Sequence, residues 1–166
     1  MKKMLFMVVL LVSCGAIFAQ NPVAEGQTQF NAGLGFSNRS VPVYIGLDYG
    51  IHKDITLGGE LSFISYHERY QQNKYNHSVI GISGNANYHF NHILNIPLDW
   101  DFYIGPNLGF YIWNSPDDYP GSRTSGLGFG AQIGGRYYFT DKFGINLEFG
   151  GGNVFSGGKF GISLKL

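Results

Sequence analysis

Over residues 158–166 the chain alternates without a break: Phe160, Ile162, Leu164 and Leu166 fall on one side, and Lys159, Gly161, Ser163 and Lys165 on the other. Successive side chains of a strand point to opposite faces, so a strict period of two describes a strand with one apolar and one polar face. The alternation runs to the last residue of a chain that opens with what reads as an export signal. Together these features predict the closing strand of a membrane β-barrel.

Seven upstream segments repeat the pattern: residues 27–37, 41–52, 55–67, 77–90, 98–113, 126–139 and 143–151. The second, for instance, sets Val43, Ile45, Leu47 and Tyr49 against Tyr44, Gly46, Asp48 and Gly50, and the fifth sets Trp100, Phe102, Ile104 and Leu108 against Asp101, Tyr103, Gly105 and Asn107. With the closing strand they make an even number, as an up-and-down barrel requires. Only 13% of the residues are charged and the formal net charge is zero, against about 25% charged residues in a soluble domain. That composition gives no electrostatic case for a nucleic-acid partner or a polybasic membrane contact.

The amino terminus has the anatomy of a secretory signal: Lys2 and Lys3, an apolar run from Met4 to Phe18, then Ala19 ahead of Gln20 and Asn21. Its apolar stretch is short for a spanning helix and is followed at once by polar residues. The expected organisation is a signal over residues 1–19, a periplasmic segment over 20–26 and a barrel over 27–166. The single cysteine, Cys14, follows Leu11, Val12 and Ser13, a pattern that resembles a lipoprotein processing site. Residues 15–19 continue the apolar run without a polar tether, which favours cleavage after Ala19 and leaves a lipidated Cys14 as the alternative.

Alternation alone does not say which face is outside. An eight-stranded barrel encloses space that side chains can fill or that one small ligand can occupy, and the apolar set here holds about a dozen aromatic rings, more than such a lumen accommodates. The opposite set is mostly glycine, asparagine and serine with a few charges, which fit. The apolar face must therefore look outward into lipid. Short connections at 52–54, 91–97 and 140–142 mark the periplasmic end, and the longer loops 68–76 and 114–125 mark the outer side. Tyr49, Tyr88, Phe90, Trp100, Phe102, Tyr137, Phe139 and Phe143 fall near the inner turns, at the headgroup level favoured by amphipathic rings. The third to sixth segments exceed the roughly 9–11 residues needed to cross. They are expected to project outward as a sheet carrying Tyr66, His67, Tyr111 and Trp113.

The signal ending Phe18-Ala19-Gln20, the segment Tyr103-Ile104-Gly105-Pro106-Asn107-Leu108-Gly109-Phe110, the hairpin from Arg136 through Tyr137, Tyr138, Phe139 and Thr140 to Gly144, and the closing Phe160-Gly161-Ile162-Ser163-Leu164-Lys165-Leu166 resemble those of small bacterial outer-membrane barrels of the OmpX/OmpA type. The resemblance covers the whole mature chain. It implies an all-β, eight-stranded antiparallel up-and-down transmembrane β-barrel in the outer membrane. It also implies recognition by the assembly machinery through Phe160, Ile162, Leu164 and Leu166. It implies no particular activity.

The chemistry-bearing residues on the polar face are few. Counting register out from the 140–142 turn places Arg136 opposite Asn146, diagonal to Glu148 and near Asp101 and Tyr103. A guanidinium has five donors, and Asp101 and Glu148 are expected to receive them, with Lys165 as a second partner of Glu148. Asp48 and Glu60 form a diagonal pair across the turn at Lys53, and two carboxylates in a confined site favour keeping a proton between them. The expected polar network of the lumen is thus Arg136, Glu148, Asp101, Glu60, Asp48, Tyr103 and Lys165. It reads as a structural plug, with a proton or ion path as the alternative.

For catalysis, Ser65, His67 and Glu68 lie together at the outer rim, a set suited to an enzyme that trims lipid acyl chains, although their order and spacing do not reproduce the motif of lipid A deacylases. His52, His89 and His92 lack metal-ligand spacing and read as turn and rim groups. Gly126, Gly128 and Gly130, like Gly33 and Gly35, sit within continuing alternation and read as lumen positions, not as a phosphate loop. The sequence therefore points to a non-enzymatic, monomeric barrel without cofactor or metal. Its partners are expected to be outer-membrane lipid, the assembly machinery and an extracellular protein met through the outer loops, with envelope integrity as a further role. A lipid acyl hydrolase and a small-solute pore are the alternatives.

Overall fold

The computed structural model describes residues 23–37, 40–70, 73–116, 119–121, 124–153 and 156–166. The expected signal over 1–19, with Cys14, and residues 20–22 of the short segment that follows lie outside the described residues. Eight antiparallel strands run β1 (Thr28–Ser37), β2 (Val43–His52), β3 (Ile55–Tyr70), β4 (Asn73–His89), β5 (Trp100–Asn114), β6 (Gly126–Tyr138), β7 (Phe143–Gly152) and β8 (Ser156–Lys165). Each pairs with its sequence neighbours, and β1 pairs with β8 from Gln29↔Lys165 to Ser37↔Gly157, so the sheet closes into a barrel. Closure removes the two sheet edges that would otherwise carry unpaired backbone groups in hydrocarbon.

The apolar face is outside. Ile45, Leu61, Ile82, Ile104, Ile133, Leu147 and Ile162 are among the many large apolar side chains left exposed, while Gln29, Thr56, His89, Asp101, Arg136 and Ser163 are buried. This inverts a soluble domain and matches a polar interior surrounded by lipid. Aromatic rings interlock near the inner turns: Trp100 lies 4.7 Å from Tyr137, Tyr137 meets Phe139 edge-on at 5.2 Å, and Tyr88 meets Phe90 edge-on at 5.4 Å. On the outer side Phe36 and Phe149 make a similar edge contact at 6.0 Å.

The connection read as a plain turn over 91–97 contains one helical turn, α1 (Asn91–Leu94), which ends at Asn95 in the left-handed conformation with φ 51°. An asparagine tolerates that region better than most side chains. The Asn91 side chain donates to the Trp100 carbonyl and accepts from the Phe102 amide, fastening the turn to the start of β5.

The outer side departs further from expectation. Residues 68–76, expected as a loop, are mostly strand: β3 runs to Tyr70 and β4 begins at Asn73, and the two pair throughout, from Ile55↔Tyr88 to Tyr70↔Asn73. The period-two pattern weakens past Phe63 because both faces change character there. Outward positions become polar in Ser65, His67, Arg69, Lys74, Asn76 and Ser78, whereas inward ones become apolar or aromatic in Ile64, Tyr66, Tyr75 and Val79. A switch from apolar-out to polar-out marks emergence from lipid into water. β3 and β4 have 16 and 17 residues against 10 in β1, β2, β7 and β8, an excess of about 20 Å of strand at some 3.4 Å per residue. The projection belongs to β3 and β4 with the end of β5. β6 does not share it, since its outward face is still apolar at Leu127.

Two neighbouring positions test the assigned faces. Ile104 is exposed on the lipid side, so Ile104→Arg should cost about 2–4 kcal/mol near mid-membrane. A Cβ at Gly105 would lie 1.9 Å from the Ala86 carbonyl oxygen, so Gly105→Ala should fail through overpacking. Refolding titrations into lipid vesicles measure both, and a neutral Ile104→Arg would reverse the faces.

Candidate functional site

Every strand sends a polar side chain into the lumen, and two cations organise them. Arg136, 3% exposed on β6, donates through Nη1 to Asp101 Oδ2 of β5 at 3.0 Å and through Nη2 to Asp48 Oδ2 of β2 at 2.5 Å. With the Gln29 amide oxygen turned towards it, Arg136 also donates to Gln29 from Nε at 3.1 Å and from Nη1 at 3.2 Å, while Gln29 meets the Tyr138 hydroxyl. The guanidinium plane lies 4.4 Å from the centre of the Tyr103 ring. Gly134 makes room for that ring, because a Cβ there would come within 2.3 Å of it.

The second cation is Lys159 on β8. Its Nζ lies 2.6 Å from Glu60 Oε2 of β3 and 2.6 Å from Glu148 Oε1 of β7. Glu148 Oε2 accepts from the Tyr103 hydroxyl at 2.9 Å, which links the two layers of charge. From Asp48 a further chain runs through Asn31 (2.9 Å), Ser163 (2.7 Å) and Asn146 (3.0 Å) to the Tyr44 hydroxyl (2.6 Å). Backbone ladders join neighbouring strands, whereas each of these cations also reaches a strand across the barrel, Arg136 to Asp48 and Lys159 to Glu60. Burial strengthens each such pair and makes an orphaned partner costly.

Several expectations about partners need correction. The register places Arg136 opposite Asn146 and Asp101, as counted. Its second carboxylate, however, is Asp48 from across the lumen and not Glu148. Glu148 turns instead to Lys159, directly opposite it on β8. Lys165 is not a partner of Glu148: its Nζ sits 3.9 Å over the Tyr138 ring. Asp48 and Glu60 are diagonal across β2 and β3, as counted, and each has its own cation.

His89, read from the sequence as a turn group, is fully buried. Its Nδ1 lies 2.7 Å from Asp101 Oδ1 and its Nε2 3.0 Å from Thr56 Oγ1. The signal was present, for His89 falls on the inward side of β4 and Asp101 on that of β5. His52 and His92 stay at the inner rim, the latter 4.0 Å from Asp54. At the outer rim Ser65 and His67 face outward, but alternation sends Glu68 inward, where its carboxylate lies 3.8 Å from His77 Nε2. The three therefore do not form one constellation.

Above the Lys159 layer the lumen widens into a cavity of about 140 Å³, walled by Tyr44, Ser62, Ile64, Val79, Ser83 and Tyr111 among others. Below it, between the two charge layers, lies a void of about 20 Å³, room for about one water molecule. On the projecting ribbon His77 stacks on Tyr66 at 5.3 Å, and the β5–β6 loop is fastened there by Ser115 Oγ, 2.8 Å from His77 Nδ1, and by Tyr119, edge-on to His77 at 4.6 Å and to Tyr75 at 5.2 Å.

Comparison with known proteins agrees with this architecture. The family described as outer membrane protein beta-barrel domain matches residues 7–164. The N-terminal β-barrel domain of Pseudomonas aeruginosa OprF superposes with a TM-score of 0.62 at 19% identity, over 86% of this chain and 98% of that one. OprG from the same organism gives 0.68 at 8% identity over 88% and 99%, and Neisserial surface protein A gives 0.54 at 15% over 84% and 95%. At these identities the likeness is one of fold. No curated protein sequence matches the chain.

Arg136→Ala would leave Asp48 and Asp101 buried without their cation. Vesicle refolding should register a loss of roughly 3–5 kcal/mol, and Arg136→Lys should recover only part of it, because an ammonium cannot reproduce the planar fork. A neutral Arg136→Ala would remove Arg136 from the centre of the network.

Proposed function

Since this chain belongs to the outer-membrane protein β-barrel family and resides in the bacterial outer membrane, we propose that it is a non-enzymatic barrel with a plugged polar lumen that acts in recognition or adhesion at the cell surface. The observation that carries this reading is the β3–β4 ribbon. It stands beyond the apolar belt, presents Ser65, His67, Arg69, Lys74 and Asn76 outward, and is stiffened on its inner side by Ile64, Tyr66, Val79, Tyr111 and Trp113. A passive barrel has no need to extend and brace one hairpin beyond the lipid. A preformed surface meets a partner without first paying to order itself.

The other two readings find less support. Acyl hydrolysis at Ser65 and His67 lacks its acid on the same face. Thr56, His89 and Asp101 do have the connectivity of a nucleophile, base and orienting acid, but all three are fully buried and neither of the two voids reaches Thr56. A pore would have to break the Arg136 and Lys159 ion pairs. Phe160, Ile162 and Leu164 share the outward face of β8, with Leu166 just past its end, which suits recognition by the assembly machinery during insertion.

The test is a variant in which residues 66–77 are replaced by a two-residue turn, expressed in a strain lacking the native gene. Surface recognition predicts that the variant still folds and inserts but loses binding to host cells or matrix protein. Loss of detergent resistance in the null strain, restored equally by the short variant, would instead assign the protein to envelope integrity. Planar-bilayer recordings should register no steady conductance, and an open channel would overturn the plug.

A further inference from the structure

We propose that the outer lumen is a binding site for a small amphiphilic amine, whose ammonium group sits on Glu60 and Glu148 and whose short apolar body lies against Ile64, Val79 and Tyr111. The inference goes beyond surface recognition and does not depend on it.

Three observations converge on that ligand class. The first is size: the cavity measures about 140 Å³, close to the roughly 150 Å³ that accommodates a benzene molecule in an engineered core, so a body of about six heavy atoms fits. Tyr111 packs on Gly81, where a Cβ would lie 2.9 Å from its ring and 2.5 Å from Ser62 Oγ, so the wall leaves no space for a side chain at that position.

The second is charge. The floor holds one lysine between two glutamates, and all three keep accessible surface, 25% for Lys159, 17% for Glu60 and 10% for Glu148. The layer beneath is closed by its own partners, with Arg136 between Asp48 and Asp101 and His89 also on Asp101. In the Lys159 layer carboxylates outnumber cations, and a confined site with low-dielectric walls focuses such an excess. A second ammonium above the floor would complete the count, whereas an anion would be repelled. Tyr44, whose ring already faces Lys159 Nζ at 5.1 Å, adds a π-face that favours a cation.

The third is polarity. Ile64 and Val79, 4% and 1% exposed, carry the ribbon's apolar cluster down into one side of the cavity, while Ser62, Ser83, Asn85 and Asn107 line other parts of it. A bare metal ion would make no use of the apolar wall, and a neutral hydrocarbon would desolvate the glutamates without compensation. A molecule with a cationic head and a short apolar body satisfies both.

The test uses the whole barrel, labelled with nitrogen-15 in detergent micelles and titrated at constant ionic strength with n-butylamine, 1-butanol or butyrate. Butylamine should give saturable shifts at the amides of Glu60, Ser62, Gly81 and Lys159, and the alcohol and the acid should not. Binding should weaken at least tenfold in Glu60→Gln, which removes charge, and in Ser83→Leu, which fills the cavity and leaves the charges in place. The same spectra report whether each variant folds, and either folded variant decides the matter. Shifts that do not saturate, that are equal for all three probes, or that persist undiminished in a folded variant would overturn the proposal.

Discussion

The width of the lumen governs where each side chain of this protein can go. Eight strands enclose an interior that is filled by side chains or by one small ligand. Bulky rings are therefore driven outward to lipid, and the inward positions fall to glycines and to polar groups that can bond to one another. Where a ring does point in, something opposite must yield: Tyr103 lies against Gly134, and at Gly105 the neighbouring backbone leaves no space for even a methyl group. The same narrowness brings charges from opposite walls within reach, which a wider barrel would leave to water.

That reach gives the barrel a second set of cross-links. Arg136 draws β6 towards β2 and β5, and Lys159 draws β8 towards β3 and β7. β1 joins through Asn31, and β4 through His89. Replacing such buried pairs by apolar residues is often harmless to stability in general, so their presence argues more for a specified arrangement than for a strong one. The arrangement here divides the barrel by height. The lower part is crowded with bonded side chains, the outer part opens into a cavity, and the β3–β4 ribbon stands above it.

Much of this was legible in the sequence because its cause is local. Alternation fixed the strands, their number and their faces, and counting from the 140–142 turn gave the register around Arg136. What counting along adjacent strands misses is contact across the lumen: Asp48 and Arg136 lie on strands that are not neighbours, and only barrel curvature brings them together. Glu148 and Lys159 are directly opposite in register, so counting along β7 and β8 is enough to pair them in place of Glu148 and Lys165. Histidines near a turn usually face solvent, but His89 shares the inward parity of Asp101, which places it inside. Residues 68–76 read as loop because the pattern changes phase in hydrophobicity once the strands leave the membrane, so the rule that found the other strands no longer applied there.

The outward assignment of the apolar set is the claim beneath all the others, and β4 offers a direct measurement of it. The strands contain no cysteine, so single cysteines can be placed at each position from Val79 to Tyr88, labelled with a fluorophore and reconstituted in vesicles carrying a nitroxide lipid. Quenching should follow a period of two, strong at Ile80, Ile82, Gly84, Ala86 and Tyr88 and weak at the positions between. Quenching in the opposite phase, or with no period, would contradict a barrel with a polar lumen and a lipid-facing apolar belt.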